Sequence, residues 1–254
     1  MPEQASAVAA REPDIVALQE VTRRTRPLWD REFELMGLTH VSASSFDRGL
    51  SGGDIGRRTL VMIAARFALE EMQTLAVPRP ESALSVVAST SAGPLEIHCV
   101  HVPNAANGWV KVETLQALRR GLETPSRAPR VLCGDLNTPR RELPDGTTLS
   151  FARNSRGRLR PERGPEWDAA ELGIVPGLRE LGYRDAFRSR HGYASRSPSW
   201  TWKTIAGHDG GWRLDHTFVS AGLIPLACQY HHEWREQGLS DHSALETDLE
   251  YRHS

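Results

Sequence analysis

Lysine is nearly missing from this chain of 254 residues: it occurs only at Lys111 and Lys203, and every other basic side chain is arginine. Cysteine is scarce too. Cys99, Cys133 and Cys228 form no CxxC pair, which excludes a disulfide scaffold and a zinc ribbon and fits a reducing compartment. No apolar run is long enough to span a membrane, and the start lacks the basic-then-apolar pattern of a secretory leader. A soluble, cytoplasmic protein is therefore expected. An excess of either charge is lacking as well: the net charge is -1, which argues against non-specific nucleic-acid binding by the surface as a whole. The preference for arginine has two readings, a coding bias or a use for guanidinium forks on phosphate. Composition does not separate them.

What is present is an ordinary apolar fraction, 39%, enough for a sizeable core. Glu3 to Arg11 is alanine-rich and helix-prone, and Pro13 ends it. Asp14–Glu20 reads as a buried strand with an acid at its C-terminal end. Further strands are expected at Thr59–Ala64, Leu84–Ser89, Glu96–Val102, Arg130–Cys133, Leu214–Val219 and Ala244–Leu249. The turn-rich Thr90–Pro94 makes a hairpin of the second and third of these. Val112, Leu115, Leu118 and Leu122 recur at helical spacing and predict an amphipathic helix over Val112–Glu123. Leu178 and Leu181 suggest a shorter helix. Ser42–Arg58 and Arg140–Gly164 read as loops. Seven arginines crowd the second: 140, 141, 153, 156, 158, 160 and 163. Such a run is usually just solvated, but this one follows directly on the strongest motif of the chain, and it can also line a phosphate groove.

One arrangement repeats along the chain: a short apolar strand ends and polar residues follow at once. It occurs at Leu18-Gln19-Glu20, at Val100-His101-Val102-Pro103-Asn104, at Leu132-Cys133-Gly134-Asp135-Leu136-Asn137, at Arg213-Leu214-Asp215-His216 and at Ser240-Asp241-His242. Taken singly, Glu20 reads as a surface acid, His101 as a satisfied core histidine and Asp215 as a turn residue. Asp135 and Asn137 at the end of a buried strand are harder to dismiss, because a buried carboxylate without an ionic partner costs several kcal/mol. Acids, amides and imidazoles at several strand ends can meet at one edge of a β core, where rigid scaffolds carry active-site loops.

The joint pattern resembles the endonuclease/exonuclease/phosphatase superfamily. The resemblance rests on Pro13–Glu20 (PDIVALQE), Cys133–Pro139 (CGDLNTP), Ser199–Lys203 (SWTWK) with Arg213–His216 (RLDH), and Gly238–Leu245 (GLSDHSAL). It implies one α/β (α+β) domain over residues 1–254, a four-layer αββα sandwich of two mainly antiparallel sheets. It implies metal-dependent hydrolysis of a phosphodiester, by a nuclease acting on DNA, with Mg2+ or Mn2+ as cofactor. Glu20 and Asp241 would be metal ligands. Asp135 would orient or deprotonate the attacking water, Asn137 would hydrogen-bond the phosphate or that water, and His242, held by Asp215, would contact the scissile phosphate. His101 and Asn104 fall at phosphate-contacting positions. Trp202, with Trp200, can stack on a base or sugar or belong to the scaffold, and Arg213, Arg140 and Arg141 are the candidate substrate-binding arginines.

Two departures qualify the resemblance. The family's first central strand, ending in Asn, is not found before α-prone Glu3–Arg11, so the domain is expected to be N-terminally truncated relative to the family. His101 stands where repair nucleases of this type carry Tyr, which leaves a small-molecule or lipid phosphodiester as an alternative substrate. A third reading, an inactive binding module on the same fold, conflicts with the presence of Asp135, Asp215, Asp241 and His242 together.

Overall fold

The computed structural model describes residues 1–45, 59–73, 75–195, 200–202 and 211–252. Helix α1 (Pro2–Ala9) leads to β1 (Ile15–Val21), α2 (Arg26–Leu35), β2 (His40–Ala43), β3 (Leu60–Ala65) and β4 (Leu69–Glu71). The hairpin of β5 (Ala83–Thr90) and β6 (Gly93–His101) is followed by α3 (Trp109–Glu123) and β7 (Arg130–Asp135). Next come β8 (Arg141–Glu142), β9 (Thr148–Leu149), α4 (Gly164–Ile174), β10 (Arg184–Asp185) and α5 (Ala186–His191). The chain continues through β11 (Asp215–Val219), β12 (Leu223–His231), α6 (His232–Glu236) and β13 (Ala244–Tyr251).

Six strands form the larger sheet, in the order β10-β11-β7-β6-β5-β4, antiparallel except for the parallel pair β6–β7. A three-stranded sheet, β1-β3-β2, and the ribbon β12–β13 face it. The space between is apolar: Val61 and Ile63 of β3 and Leu223 of β12 pack with Val86, Ile97, Val131 and Val219 of the larger sheet. Every residue of β3 is buried, as a strand covered on both faces requires. Outside the smaller sheet, Ala5, Trp29 and Phe33 of α1 and α2 cover Val16, Met62 and Ala64. Outside the larger one, Leu115, Leu118, Trp167 and Ile174 of α3 and α4 cover Val100, Leu132 and Phe218. The result is helix, sheet, sheet, helix, the expected four-layer order. Among the described residues no helix is long and apolar enough to cross a membrane.

Several local expectations shift. Leu178 and Leu181 lie in a single 3-10 turn, Gly177–Leu181. The loop expected from Ser42 begins inside β2, and most of the remainder lies outside the described residues. The Arg-rich loop holds the two-residue ladder β8–β9, and α4 begins at its last residue. Strand β12 has no counterpart in the sequence reading: Pro225 interrupts its pattern, and its pairing with β13 shifts register between Pro225 and Ala227, the irregularity that tolerates a proline inside a sheet.

Candidate active site

Three neighbouring strands meet at one edge of the larger sheet. His101 at the end of β6 is the lateral partner of Asp135 at the end of β7, and Asp135 is in turn the partner of Asp215 at the start of β11. The close approach depends on Gly134. Its φ of +125° disfavours a side chain, and a Cβ there would lie 2.1 Å from the Val100 carbonyl oxygen. Across the sandwich, Glu20 sits where the β1–β3 register slips between Leu18 and Val21. The slip is a bulge, which re-aims one side chain, and Glu20 adopts a left-handed φ of +58°. His101 Nε2 lies 3.7 Å from Glu20 Oε1 and 3.7 Å from Asp135 Oδ2. From the opposite side His242 Nδ1 bonds Asp215 Oδ2 at 2.7 Å. Glu20, His101, Asp135, Asp215 and His242, from five segments, thus share one site.

The electrostatics separate these groups. Burial raises the Asp135 carboxyl well above its ordinary value, and the neighbouring carboxylates of Asp215 and Glu20 raise it further against the pull of His242 and the Asn137 backbone N–H. Burial opposes charge on His242, but the hydrogen bond and Coulomb attraction of Asp215 win, and the pKa rises to about 9. His242 is therefore an imidazolium at neutral pH. Burial would raise Asp215 too, yet the His242 partnership holds it below the carboxylate norm. His101 is lowered by burial, only partly offset by Glu20, and is neutral at pH 7. An acid that resists ionisation beside a histidine that resists neutrality is the divergence that assigns acid–base roles.

Asp135 is also held from behind. Asn137, at φ +50°, donates its backbone N–H to Asp135 Oδ1 at 2.7 Å and its side-chain Nδ2 to Asp135 Oδ2 at 2.9 Å. The same Nδ2 donates to the Val102 carbonyl at 2.8 Å. Both amide hydrogens are taken, so only Oδ1 is left for an incoming group, and Asn137 faces the acid more than the solvent. Its carbonyl accepts from Lys111 Nζ at 2.7 Å. Lys111 is fully buried and paired with the fully buried Glu171 at 2.7 Å. Glu171 also accepts from Trp167 Nε1, Thr138 Oγ1 and the Phe151 N–H, at 2.7, 2.9 and 2.7 Å. With every lone-pair direction occupied, this pair is the satisfied kind of buried ion pair. Neither residue was expected at the site. The available signal was Lys111 itself, four residues before Leu115 and seven before Leu118, on the apolar face of α3.

The remaining expected residues lie at varying distance from this centre. Asn104 is exposed, its Oδ1 accepting from the Ala106 N–H at 3.0 Å and from Asn107 Nδ2 at 2.9 Å. Asp241 is exposed next to His242 and adds to its positive shift. Trp202 pairs across an isolated bridge with His242 and stacks on Trp212 at 5.1 Å. Trp200 stacks on His232 and under Arg235. Arg213 is not at the surface: it is buried between Glu142 and Asp185, with contacts of 2.7 and 2.8 Å. Arg140 is half-buried and Arg141 exposed. The rest of Ser199–Lys203 beyond residues 200–202 lies outside the described residues.

Among the described residues no three His, Cys, Asp or Glu side chains converge as a ready-made metal cage. The donor chemistry nonetheless fits a hard divalent cation. Carboxylates crowd around Asp135 with too little positive charge to relax it, and Glu20 offers a carboxylate on a side chain that is 68% exposed. Magnesium is commonly held by one or two carboxylates with water and substrate phosphate completing the shell.

The chain belongs to the endonuclease/exonuclease/phosphatase family, whose sequence model matches residues 5–242. It is 32% identical over 136 residues to the DNA repair nuclease APEX1 of Danio rerio, a stretch that covers 50% of this chain and 40% of that protein. Its fold is that of an endonuclease/exonuclease/phosphatase structure from Beutenbergia cavernae, with TM-score 0.68 and 18% identity over 98% of this chain and 66% of that one. An AP endonuclease from Archaeoglobus fulgidus is similar at TM-score 0.65 and 20% identity, over 97% of this chain and 92% of that one.

Proposed function

We propose that this chain hydrolyses phosphodiester bonds in DNA with the help of a divalent cation, Mg2+ or Mn2+, in the cytoplasm. The observation that carries the reading is the convergence of a charged His242–Asp215 pair with a crowded Asp135 at the ends of adjacent strands. In this reading a water is placed by Asp135, whose raised pKa suits proton acceptance, a role worth ~10²–10⁴ in rate. Asn137 holds both oxygens of that carboxylate in place. The imidazolium of His242 bonds a phosphoryl oxygen through Nε2 and opposes the charge that builds there, while Asp215 keeps the ring charged and oriented. His101, neutral, bonds the phosphate from the opposite side. Glu20 would hold the cation, with Asp241 near it, and a bound cation would supply further neutralisation of the phosphoryl oxygens. DNA is favoured as substrate by the resemblance to a DNA repair nuclease and by the half-exposed Trp202 and Trp212, flat surfaces on which a base or sugar can stack. Three free cysteines fit a reducing compartment.

The test is a gel assay on abasic and nicked duplexes beside a chromogenic phosphodiester, with and without Mg2+. DNA cleavage that needs the metal is expected, with Asp135→Asn and His242→Ala each losing most of it while their melting curves remain cooperative. Wild-type rates in either variant would remove that residue from the scheme. Cleavage of the small diester alone would move the substrate to small or lipid phosphodiesters. Binding without any turnover would make this a recognition module.

A further inference from the structure

The arginines of residues 140–163 are not equivalent. Arg153 is committed to Asp168 through Nε at 2.9 Å and a second bond from Nη2. Arg141, Arg156 and Arg158 are exposed. Arg140, Arg160 and Arg163 are half-buried, and the backbone draws them to one place. Thr138 Oγ1 and the Phe151 N–H share one oxygen of Glu171, which sets the start of the segment against its middle. Arg140 follows two residues after Thr138. The Arg160 N–H bonds the Ala152 carbonyl at 2.8 Å, and Arg163 donates from Nη1 to the Phe151 carbonyl. The Arg163 guanidinium lies 4.9 Å over the Trp167 ring.

These three cations have almost no counter-charge. Among the described residues Arg140 has no carboxylate partner. Arg160 has only Glu162, at 3.8 Å, and its Nε is buried without any hydrogen-bond acceptor. Arg163 spends its one bond on a carbonyl. Burial lowers the pKa of Arg140, and the like charges of Arg160 and Arg163 lower it further. Holding like charges together is unfavourable unless an anion joins them, and planar guanidinium forks match phosphate oxygens. The cluster is connected to the catalytic end by an aromatic ledge. From Trp202, beside His242, one ring-to-ring step of 5.1 Å reaches Trp212 and a second of 5.0 Å reaches Phe151, whose carbonyl Arg163 holds.

We propose that Arg140, Arg160 and Arg163 form a second anion subsite, which takes a backbone phosphate of a nucleic-acid strand other than the one being cleaved. The inference rests on the phosphodiesterase reading and narrows its substrate class. A single small phosphodiester does not reach across two ring widths, whereas a strand with several phosphates does. Contacts to phosphate alone carry no base information, so the subsite adds affinity and register without sequence preference.

The decisive measurement is fluorescence anisotropy of a labelled single-stranded 12-mer DNA titrated with the full chain in EDTA, at several salt concentrations. Arg140→Gln/Arg160→Gln is expected to weaken binding at least tenfold at low salt and to make log K against log salt shallower by about 0.7–1. Arg140→Lys/Arg160→Lys, which keeps the charge, should retain the wild-type slope. Arg156→Gln/Arg158→Gln, in the same loop, should lose less than threefold. Equal losses in the two glutamine pairs, or an unchanged slope in the first, would overturn the subsite. Turnover of bis(p-nitrophenyl) phosphate by the wild type is measured alongside. Its absence, together with no DNA cleavage under any divalent metal, defeats the phosphodiesterase reading, while the anisotropy comparison still decides the subsite.

Discussion

Two clusters of buried charge lie on the same sheet, and they are resolved in opposite ways. Around Arg213, two carboxylates, Glu142 and Asp185, meet two guanidiniums and the ring of His216, with contacts of 2.7–3.2 Å. Against the cost of burial these partners hold Asp185 far below the carboxylate norm and Glu142 at about 2. Around Asp135 the carboxylates of Asp215 and Glu20 outweigh the pull of His242, and the acid is pushed up. The first arrangement is a finished structural network. It ties α5 and β10 to β11, and His216 Nε2 reaches the Thr138 carbonyl at 2.9 Å, so it also props the loop that follows Asn137. The second leaves charge unsatisfied where strand ends meet, and perturbed titration of that kind makes it the candidate site.

The contrast is broken or sharpened by substitution. The largest expected effect is a crossover. Asp135→Asn should cut turnover by ~10²–10⁴ and cost much less stability than Glu142→Gln, because relief of a crowded acid offsets the amide donor it sets against Asn137. Glu142→Gln should cost about 3–5 kcal/mol in urea denaturation by leaving Arg213 and Arg188 buried without it. Equal destabilisation by both would erase the distinction between the clusters. Next, Lys111→Met, which strands the fully buried Glu171, should cost about 3 kcal/mol or more. The double variant Lys111→Met/Glu171→Gln should recover part of that loss, and full additivity of the two single losses would show that the pair is not coupled.

Acid titration gives a smaller, graded test. Glu142 is held at about 2 against an ordinary 4.5, so its stabilisation is complete above pH 4.5 and is lost as pH falls toward 2. That loss amounts to roughly 3 kcal/mol for this group. Denaturation midpoints between pH 6 and 2.5 should fall accordingly in the wild type and stay flatter in Glu142→Gln. The smallest effect expected is on melting in millimolar Mg2+, a rise of a few degrees, equivalent to ~1–3 kcal/mol of linkage, that Glu20→Gln diminishes. An identical rise in that variant would remove Glu20 as a ligand.

Much of this was legible in the sequence because the site is written at strand ends. Apolar residues announce β1, β6 and β7, and the polar residues at their C-terminal ends meet Asp215, which starts β11, and His242, which precedes β13. Legibility fails where burial and polarity coincide. Helix α4 was hidden because its buried face carries Asp168 and Glu171 beside Trp167 and Ile174, so no apolar stripe appears. Helix α2 buries only Trp29 and Phe33 and leaves Leu28 and Leu35 exposed, a stripe too thin to register. Arg213 was expected at the substrate and is buried instead, because its two carboxylate partners come from residues 28 and 71 positions away, a pairing that only the tertiary fold reveals.

Glu20 sits in mirror-image torsion space, a posture that costs an L-residue with a Cβ on the order of 1–2 kcal/mol and that glycine adopts freely. A laboratory selection for heat tolerance alone would reward glycine at that position, and the winner would lack the carboxylate that faces His101. Robustness and reactivity compete here over a single dihedral angle, so thermally hardened descendants of this chain are expected to be the inert ones.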